Sequence, residues 1–357
     1  MNSERNPLLE EKTWIRNRCL FPKFRRFFPL LSILILISFA VFNYNYNIYT
    51  PNLRIYFRET EVMEPHSVDL EARFASRREH LNKKCMEINL NDGNLVPNAR
   101  EFVINHEYQL VWCNVFKAAS TSWIYNFNLL IGYSREELMK TDHPPLYMLR
   151  QKYPRPSIHK LLQALNSSLS FIIVRHPLER LVSAYRDKFL NSRGNKFYVN
   201  MGLKIINTSR SKDKAKISEM NSNSILPTFK EFINYVICQW KAGRQLDEHW
   251  RPIIESCTPC LIDFDIIIKF ETMQEDQEYL IKLAKLEGII EPTWLNQAKS
   301  SQTEDVIKDY YSQLSRNQIQ ELAVLYKYDL EIFGYYMDEY LSIGQNFDTP
   351  LHCNNKS

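Results

Sequence analysis

A short apolar run, a polar turn and a helical apolar period follow one another in two stretches of the chain. One stretch begins with Phe171–Val174, which has the length and composition of a buried strand. Arg175 lies in the turn that follows, and Pro177 suits the first turn of a helix, where its missing N–H is not needed. The apolar residues that continue at helical spacing are Leu178, Leu181, Val182, Tyr185 and Phe189. This pattern predicts a strand, a turn carrying Arg175 and an amphipathic helix.

The other stretch lies upstream and begins with Leu110–Phe116, which also has the pattern of a buried strand. Lys117 and several small or hydroxyl residues follow, and Ser120, Thr121 or Ser122 could cap the next helix. The helix is predicted from the spacing of Trp123, Ile124, Phe127, Leu130 and Ile131. Cationic strand-to-helix turns are suited to phosphate groups, because helix N-termini and basic side chains both favour anions. Ordinary βα units with solvated charges fit the same pattern.

The pattern excludes one class of nucleotide enzyme. The Walker A loop, Gly-x-x-x-x-Gly-Lys-Ser/Thr, does not occur, and the whole chain contains only eight glycines. Protein-kinase catalytic motifs do not occur either. The two turns therefore predict a nucleotide site of another kind, with one anion at each turn.

The N-terminus predicts a membrane anchor. Phe27–Phe42 is a charge-free, mostly apolar run, and an aromatic segment extends it, so that residues 27–48 approach the ~20 residues needed to cross a bilayer. Residues 1–26 carry seven basic and three acidic side chains, which predicts a cytosolic tail by the positive-inside rule. A cleaved signal peptide is the alternative, but the charged leader is long and no small-x-small site follows the run. We expect a single-pass type II protein whose main part is lumenal.

The charge distribution argues against a nucleic-acid partner. The net charge of +4 equals the excess carried by residues 1–26, and the rest of the chain has equal numbers of basic and acidic side chains. The positive charge therefore faces anionic lipid, and any anionic substrate needs a local basic patch.

The remaining chain divides by composition into three parts. Residues 49–80 are polar and predict a stem, 81–345 suit one α/β domain, and 346–357 form a C-terminal tail. Two polar insertions are expected within the domain, at Asn191–Ser224 and Asn296–Asp305.

Six of the seven cysteines lie on the predicted lumenal side, which favours disulfides without giving their pairing. Cys257-x-x-Cys260 has half of a zinc signature, but no second ligand pair accompanies it, so a structural disulfide is preferred and no metal is expected. Cys113 fits a buried core thiol. The glycosylation sequons are Asn166, Asn207 and Asn355, of which Asn207 is preferred.

The two turns resemble the cofactor-binding motifs of the Golgi carbohydrate sulfotransferases, in the branch of the chondroitin/dermatan 4-O-sulfotransferases and the HNK-1 sulfotransferase. The first family motif reads roughly Pro-Lys-x-Ala-Cys-Thr, against Phe116–Thr121 here. The second reads roughly Arg-Glu/Asp-Pro-x-Glu-Arg-Leu-x-Ser-Ala-Tyr, against Arg175–Tyr185. Three further segments match in order, at Asp247–Trp250, Ser256–Cys260 and Ile268–Thr272, so the resemblance covers about residues 80 to 340.

The resemblance implies a P-loop-like α/β fold with a central parallel sheet flanked by helices, behind an N-terminal transmembrane helix. It also implies transfer of sulfate from 3′-phosphoadenosine 5′-phosphosulfate (PAPS) to a glycan at the Golgi membrane, with a homodimer left open. The residues it assigns to the cofactor are Phe116, Lys117, Ala118, Ala119, Ser120, Thr121, Ser122, Arg175, His176, Pro177, Leu178, Glu179, Arg180, Leu181, Val182 and Ser183. Lys117 is also the predicted catalytic cation, and His143 or His249 the base, with His143 slightly preferred.

The resemblance leaves the acceptor open. We expect the 4-hydroxyl of N-acetylgalactosamine in chondroitin-like chains, with a terminal glucuronate as the alternative. Three positions depart from the family motifs, Phe116 for proline, Ser120 for cysteine and His176 for an acid. These departures motivate another hypothesis, a non-catalytic glycan-binding descendant, against which the retained Lys117, Arg175 and Ser183 argue.

Overall fold

A computed structural model of the chain describes residues 65–92, 94–191, 194–210, 226–292, 300–345 and 353. The tail at 1–26, the anchor at 27–48 and the first half of the stem lie outside this range. In the part that is described, no helix is both long and apolar enough to span a bilayer.

A four-stranded mixed sheet organises these residues, with helices packed around it. Its strands, in spatial as well as chain order, are β1 (Phe102–Asn105), β2 (Leu110–Cys113), β3 (Leu169–Val174) and β4 (Ile266–Lys269). The α-helices are α1 (Pro65–Glu87), α2 (Ser120–Ile131), α3 (Arg135–Lys140), α4 (Pro145–Lys152), α5 (Ile158–Leu165), α6 (Pro177–Tyr185), α7 (Lys196–Ser209), α8 (Phe229–Lys241), α9 (Ile253–Cys257), α10 (Met273–Leu283), α11 (Ser300–Tyr311), α12 (Arg316–Leu325), α13 (Lys327–Phe333) and α14 (Asp338–Ile343).

The sheet is parallel only in part. β2, β3 and β4 are parallel, with Cys113 opposite Ile172 and Val174 opposite Lys269, whereas β1 is antiparallel to β2. The expectation of a parallel sheet is therefore wrong for β1. Residues 106–109 form a tight connection from β1 to β2, and β2 runs beside β1 in the opposite direction. Such a short connection can join only antiparallel neighbours, because a parallel pair needs a crossover.

Both predicted strand–turn–helix units are present, with shifted ends. β2 stops at Cys113 rather than Phe116, because the chain enters its turn at Asn114, and β3 starts two residues before Phe171. All residues of β2 and β3 are buried, as expected for strands covered on both faces. Since parallel strands end at one edge of a sheet, the turns after β2 and β3 are neighbours.

The folded domain begins upstream of the predicted stem boundary at residue 80. Leu70 and Phe74 of α1 are buried in the core that surrounds the sheet, and Arg77 donates to the Ile267 carbonyl oxygen at 2.8 Å. The sequence of α1 is polar overall because one narrow stripe alone faces the core. Composition averaged over the segment therefore concealed a structural helix.

The predicted polar insertion at Asn191–Ser224 contains a helix as well. Ile205 and Ile206 of α7 are buried, and Ile205 joins a second hydrophobic cluster around α6 and α8. Residues 296–299 of the predicted insertion at Asn296–Asp305 are not described, and α11 begins within the remainder, at Ser300.

The six predicted lumenal cysteines form three disulfides, Cys85–Cys260, Cys113–Cys257 and Cys238–Cys353. Cys113 is therefore not a free core thiol, because the last residue of α9, Cys257, lies against the end of β2. Cys257 and Cys260 each pair with a distant cysteine, so neither is a zinc ligand. The disulfide at Cys353 ties the predicted C-terminal tail to α8.

Candidate active site

The turn after β2 has an unusual backbone. Lys117 and Ala119 both have positive φ, 67° and 59°, a conformation that side chains other than glycine adopt rarely and mostly at functional sites. Ala119 is the N-cap of α2, and no side chain caps this helix, so the predicted cap at Ser120, Thr121 or Ser122 is wrong. The left-handed Ala119 turns the chain directly into the helix. No side chain caps the N–H groups of its first turn, and an uncapped helix N-terminus suits an anion.

Lys117 lies in this turn with 17% of its side chain exposed, and its Nζ donates to Asp187 Oδ2 at 3.0 Å. Burial lowers the pKa of Lys117, and the Asp187 carboxylate opposes that shift. Burial alone would raise the pKa of Asp187, but Lys117 and Lys188 hold it below its usual value. The two residues therefore form an ion pair.

Arg175 lies at the end of β3, in the neighbouring turn. Its Nε donates to Glu179 Oε2 at 2.9 Å, and its guanidinium stacks 4.1 Å from the centroid of the Phe270 ring. No described residue is bonded to its two terminal nitrogens. The side chain is therefore held in place while the fork that suits a phosphate stays available.

His176 takes the place of the family's acid as the N-cap of α6. Its Nδ1 accepts from the N–H of Leu178 at 3.2 Å, and its Nε2 is 3.0 Å from the Tyr336 carbonyl oxygen. Nδ1 can accept only when it carries no proton, so this geometry requires the neutral ring with the proton on Nε2. Burial lowers the pKa of His176, which favours the same form. The histidine thus supplies the side-chain cap of α6 itself.

Arg180, the second arginine of the Arg175–Tyr185 motif, makes its contacts within the fold. Arg180 is 2% exposed, and it donates from Nε to the Phe116 carbonyl oxygen at 3.2 Å and from Nη2 to that of Arg251 at 3.1 Å. Its Nη1 lies 4.0 Å from Asp329 Oδ2. Arg180 therefore supports the backbone of the first turn through its hydrogen bond to Phe116.

The other predicted cofactor residues also divide into accessible side chains and side chains buried in the core. Thr121 is exposed, Ser183 is half-buried, and Ser120 and Ser122 are buried at the start of α2. The remaining side chains of the α6 segment that lie in the core are Pro177, Leu178, Leu181 and Val182. Spacing alone could not separate them from ligand-facing residues, since a motif includes the packing positions of its helix.

The structure brings His249 to the first turn. Its ring lies 4.8 Å from that of Phe116, and Nδ1 lies 2.7 Å from Asp247 Oδ1 and 3.0 Å from the Tyr198 hydroxyl. Burial lowers the pKa of His249, and Asp247 opposes the shift. No described residue is bonded to Nε2. A histidine held at Nδ1 by a carboxylate, with Nε2 unbonded, has the arrangement of a general base.

His143 lies elsewhere on the surface. It is exposed, its backbone N–H donates to Thr141 Oγ1 at 3.1 Å, and its ring is 5.9 Å from that of Tyr147. It lines a cavity of about 540 Å³ with residues of α3 and α4, and no described contact joins it to either turn.

Three residues near the site had no place in the sequence prediction: Asp187, Lys188 and Tyr198. The first two lie on a π-helical turn, Arg186–Leu190, that continues α6, and π-turns occur frequently at functional sites. Tyr198 comes from α7, inside the supposed insertion. The adjacency of Asp187 and Lys188 to the motif was the one signal available.

A cavity of about 370 Å³ lies beside this cluster and is lined by Asp247. Its other lining residues include the aromatic side chains of Phe197 and Tyr235, the cations of Arg100 and Arg251 and the carboxylate of Glu248. Aromatic faces with basic groups suit an acidic sugar. Among the residues that the structure describes, no group of three or more His, Cys, Asp or Glu could hold a metal ion.

Two of the three sequons lie on described surface. Asn166 is exposed at the end of α5, and Asn207 is exposed near the end of α7. Asn355 lies outside the described residues. Their glycosylation stays a prediction.

Comparison with known proteins agrees with this site. The profile of the sulfotransferase family matches residues 100–336. Carbohydrate sulfotransferase 11 of Rattus norvegicus is 30% identical over 256 residues, covering 70% of this chain and 71% of the relative. Carbohydrate sulfotransferase 12 of Xenopus laevis is 29% identical over 265 residues, covering 67% and 61%.

A further relative is carbohydrate sulfotransferase 10 of Xenopus laevis, which is 26% identical over 245 residues and covers 65% of this chain and 66% of its own. No solved structure matches the chain. The family match spans both anion turns and the segment that carries His249. The chain therefore belongs to the sulfotransferase family, and it is a carbohydrate sulfotransferase.

Proposed function

We propose that this protein transfers sulfate from PAPS to the 4-hydroxyl of N-acetylgalactosamine in chondroitin- or dermatan-type chains. We further propose that it acts in the Golgi lumen, anchored as a single-pass type II protein by residues 27–48. The family implies PAPS as donor, and the charge asymmetry of the N-terminus supports the orientation.

The two turns fit such a donor. PAPS carries phosphate at both ends of its ribose, and two neighbouring cationic turns end adjacent strands β2 and β3. Lys117 and the uncapped N–H groups of α2 would hold the 5′-phosphosulfate, and the free fork of Arg175 would hold the 3′-phosphate. When bound, PAPS supplies the sulfuryl group, and the protein supplies position and charge.

The observation that carries the proposal is the convergence of Lys117 and His249 on one turn. Phe116 precedes Lys117 in the chain, and its ring is 4.8 Å from the ring of His249. In the proposed reaction His249 Nε2 takes the proton of the sugar hydroxyl as its oxygen bonds to sulfur. Lys117 neutralises the charge on the phosphate oxygen released from sulfur. This arrangement supports His249, rather than His143, as the base.

The cavity beside Asp247 is the proposed acceptor site. Phe197 and Tyr235 offer faces for a sugar ring, and Arg100 and Arg251 offer charge for the carboxylate of a neighbouring uronate. Asp247 lines this cavity and also holds His249 at Nδ1, which links the proposed acceptor site to the proposed base.

Two of the three departures from the family motifs, Phe116 and His176, are compatible with activity. His176 keeps the N-cap that an acid would supply, and the Phe116 carbonyl oxygen is held by Arg180. Neither substitution removes a cation from the turns.

The test is incubation of the lumenal domain with labelled PAPS and a panel of desulfated glycosaminoglycans and glucuronate-terminated glycans. Label on the 4-position of N-acetylgalactosamine is the expected result. Label on glucuronate would replace the acceptor and keep the reaction. Glycan binding without transfer to any acceptor would overturn the reaction and favour a binding protein.

A further inference from the structure

A single carboxylate oxygen joins two lysines at the proposed phosphosulfate position. Asp187 Oδ2 lies 3.0 Å from Lys117 Nζ and 3.1 Å from Lys188 Nζ. One negatively charged oxygen between two ammonium groups is also what a phosphate or sulfate oxygen would be in this place. Asp187 therefore marks a position where the protein binds an anion.

The two lysine side chains are more deeply buried than the carboxylate. The exposed fraction of the side chain is 17% for Lys117 and 21% for Lys188, against 44% for Asp187. Lys188 Nζ lies over the Tyr198 ring, 5.0 Å from its centroid, and Tyr198 is itself bonded to His249. Asp187 can thus rotate towards solvent while both ammonium groups stay.

The backbone supports a functional origin for this arrangement. Asp187 and Lys188 are consecutive residues of the π-helical turn, and Phe189 beside them is buried in the cluster around α6 and α8. The buried Phe189 anchors the turn, so the two charged side chains are presented from a fixed base.

We propose that Asp187 is the resident counter-ion of the phosphosulfate position and that the donor displaces it, with Lys188 as a second cation beside Lys117. This inference rests on the proposed function. Before the donor binds, Asp187 neutralises two partly buried ammonium groups that would otherwise repel each other. When the donor binds, its oxygens replace Asp187 Oδ2, and Asp187 turns outward.

The experiment is calorimetric titration of 3′-phosphoadenosine 5′-phosphate into the lumenal domain at fixed pH and ionic strength. Asp187→Asn removes the competing anion, so we expect binding roughly 3- to 10-fold tighter than in the parent protein. Lys188→Gln removes one cation, so we expect binding roughly tenfold weaker, with Lys188→Arg restoring most of the affinity. A misfolded variant cannot bind more tightly, so the gain is specific to the proposal.

Matched controls separate local from overall charge. Glu278→Gln removes an exposed carboxylate on α10, and Lys204→Gln removes an exposed cation on α7, so both should bind like the parent. Unchanged or weaker binding by Asp187→Asn would overturn the counter-ion role, and unchanged binding by a folded Lys188→Gln would overturn the second cation. Failure of the parent protein to bind the nucleotide at all would instead refute the proposed function.

Discussion

His249 Nδ1 lies 2.7 Å from Asp247 Oδ1, and the backbone N–H of His249 donates to the same oxygen at 2.9 Å. The carboxylate thus fixes both the position and the tautomer of the ring, and Nε2 carries the lone pair. Because the sequence separation is only two residues, this pair forms within one turn of chain. Tertiary structure then places it against Phe116.

The base should be identifiable by comparing the two histidines. His249→Ala is expected to lose about 10²–10⁴-fold in turnover, the usual contribution of general base catalysis, while still binding 3′-phosphoadenosine 5′-phosphate. Initial rates with labelled PAPS and the accepted glycan measure the loss. His143→Ala is the control and should be near normal. Normal activity in His249→Ala with loss in His143→Ala would reverse the assignment.

Asp247 should set the pH dependence of the reaction. Asp247 raises the pKa of His249 against the lowering effect of burial, so Asp247→Asn should lower that pKa further. The base works when neutral, so the acidic limb of the pH–rate profile should move to lower pH, and maximal turnover should fall because a weaker base remains. Tyr198→Phe keeps the carboxylate and should move the limb less. An acidic limb that moves to higher pH would contradict this account.

Arg175 should act on the nucleotide and hardly on the fold. Arg175→Met removes a charge-assisted contact with the 3′-phosphate, worth about 1.5–3 kcal/mol. Calorimetry should show at least several-fold weaker binding of 3′-phosphoadenosine 5′-phosphate, with a thermal midpoint near that of the parent. Unchanged affinity in the folded variant would remove Arg175 from the cofactor site.

Arg180, in contrast to Arg175, should contribute mainly to the stability of the fold. Arg180→Met leaves Asp329 buried without its cation, which is expected to cost about 3–5 kcal/mol of unfolding free energy. Asp329 accepts hydrogen bonds from the N–H groups of Ile253 and Ile254 at 2.6 and 2.9 Å and so anchors the start of α9. The variant would leave this anchoring carboxylate without its positive partner. Chemical denaturation measures the loss, and the double variant with Asp329→Asn should recover part of it. A fully stable Arg180→Met would show that the buried pair contributes little.

The disulfide Cys113–Cys257 should support the first turn. It joins the end of β2 to α9, and both cysteines are fully buried. The paired change to alanine should reduce unfolding free energy by about 2–5 kcal/mol and weaken nucleotide binding. The change of Cys238 and Cys353 to alanine should reduce stability but leave binding intact, because that disulfide leads to the C-terminal tail. Equal effects on binding would contradict the local role.

The compartment and topology can be tested through Asn207. In protein made in the secretory pathway, Asn207→Gln should remove one glycan, seen as a faster band that endoglycosidase treatment of the parent reproduces. Protease added to sealed Golgi vesicles should remove only an N-terminal tag. Digestion of the main domain in sealed vesicles would refute the lumenal orientation.

Local pattern was sufficient for the two strand–turn–helix units and for the family. The apolar strand, the cation and the helical period are adjacent in sequence, so β2, β3, α2 and α6 could be predicted, as could Pro177 at the start of α6. The ends of the elements were less predictable, because Phe116 is as apolar as a strand residue but lies three residues beyond the end of β2. The family's motif also carried Arg180 into the cofactor set, although burial gives it a bracing role.

What the sequence could not decide depends on residues far apart in the chain. The antiparallel β1, the disulfide pairing, the core stripe of α1 and the approach of His249 to Phe116 all arise when distant segments bury apolar surface together. The hydrophobic periodicity of the sequence does not predict which helix face packs against which strand. The position of His249 beside Phe116, and the bridge from Lys117 through Asp187 to Lys188, are therefore consequences of how distant segments pack around the sheet.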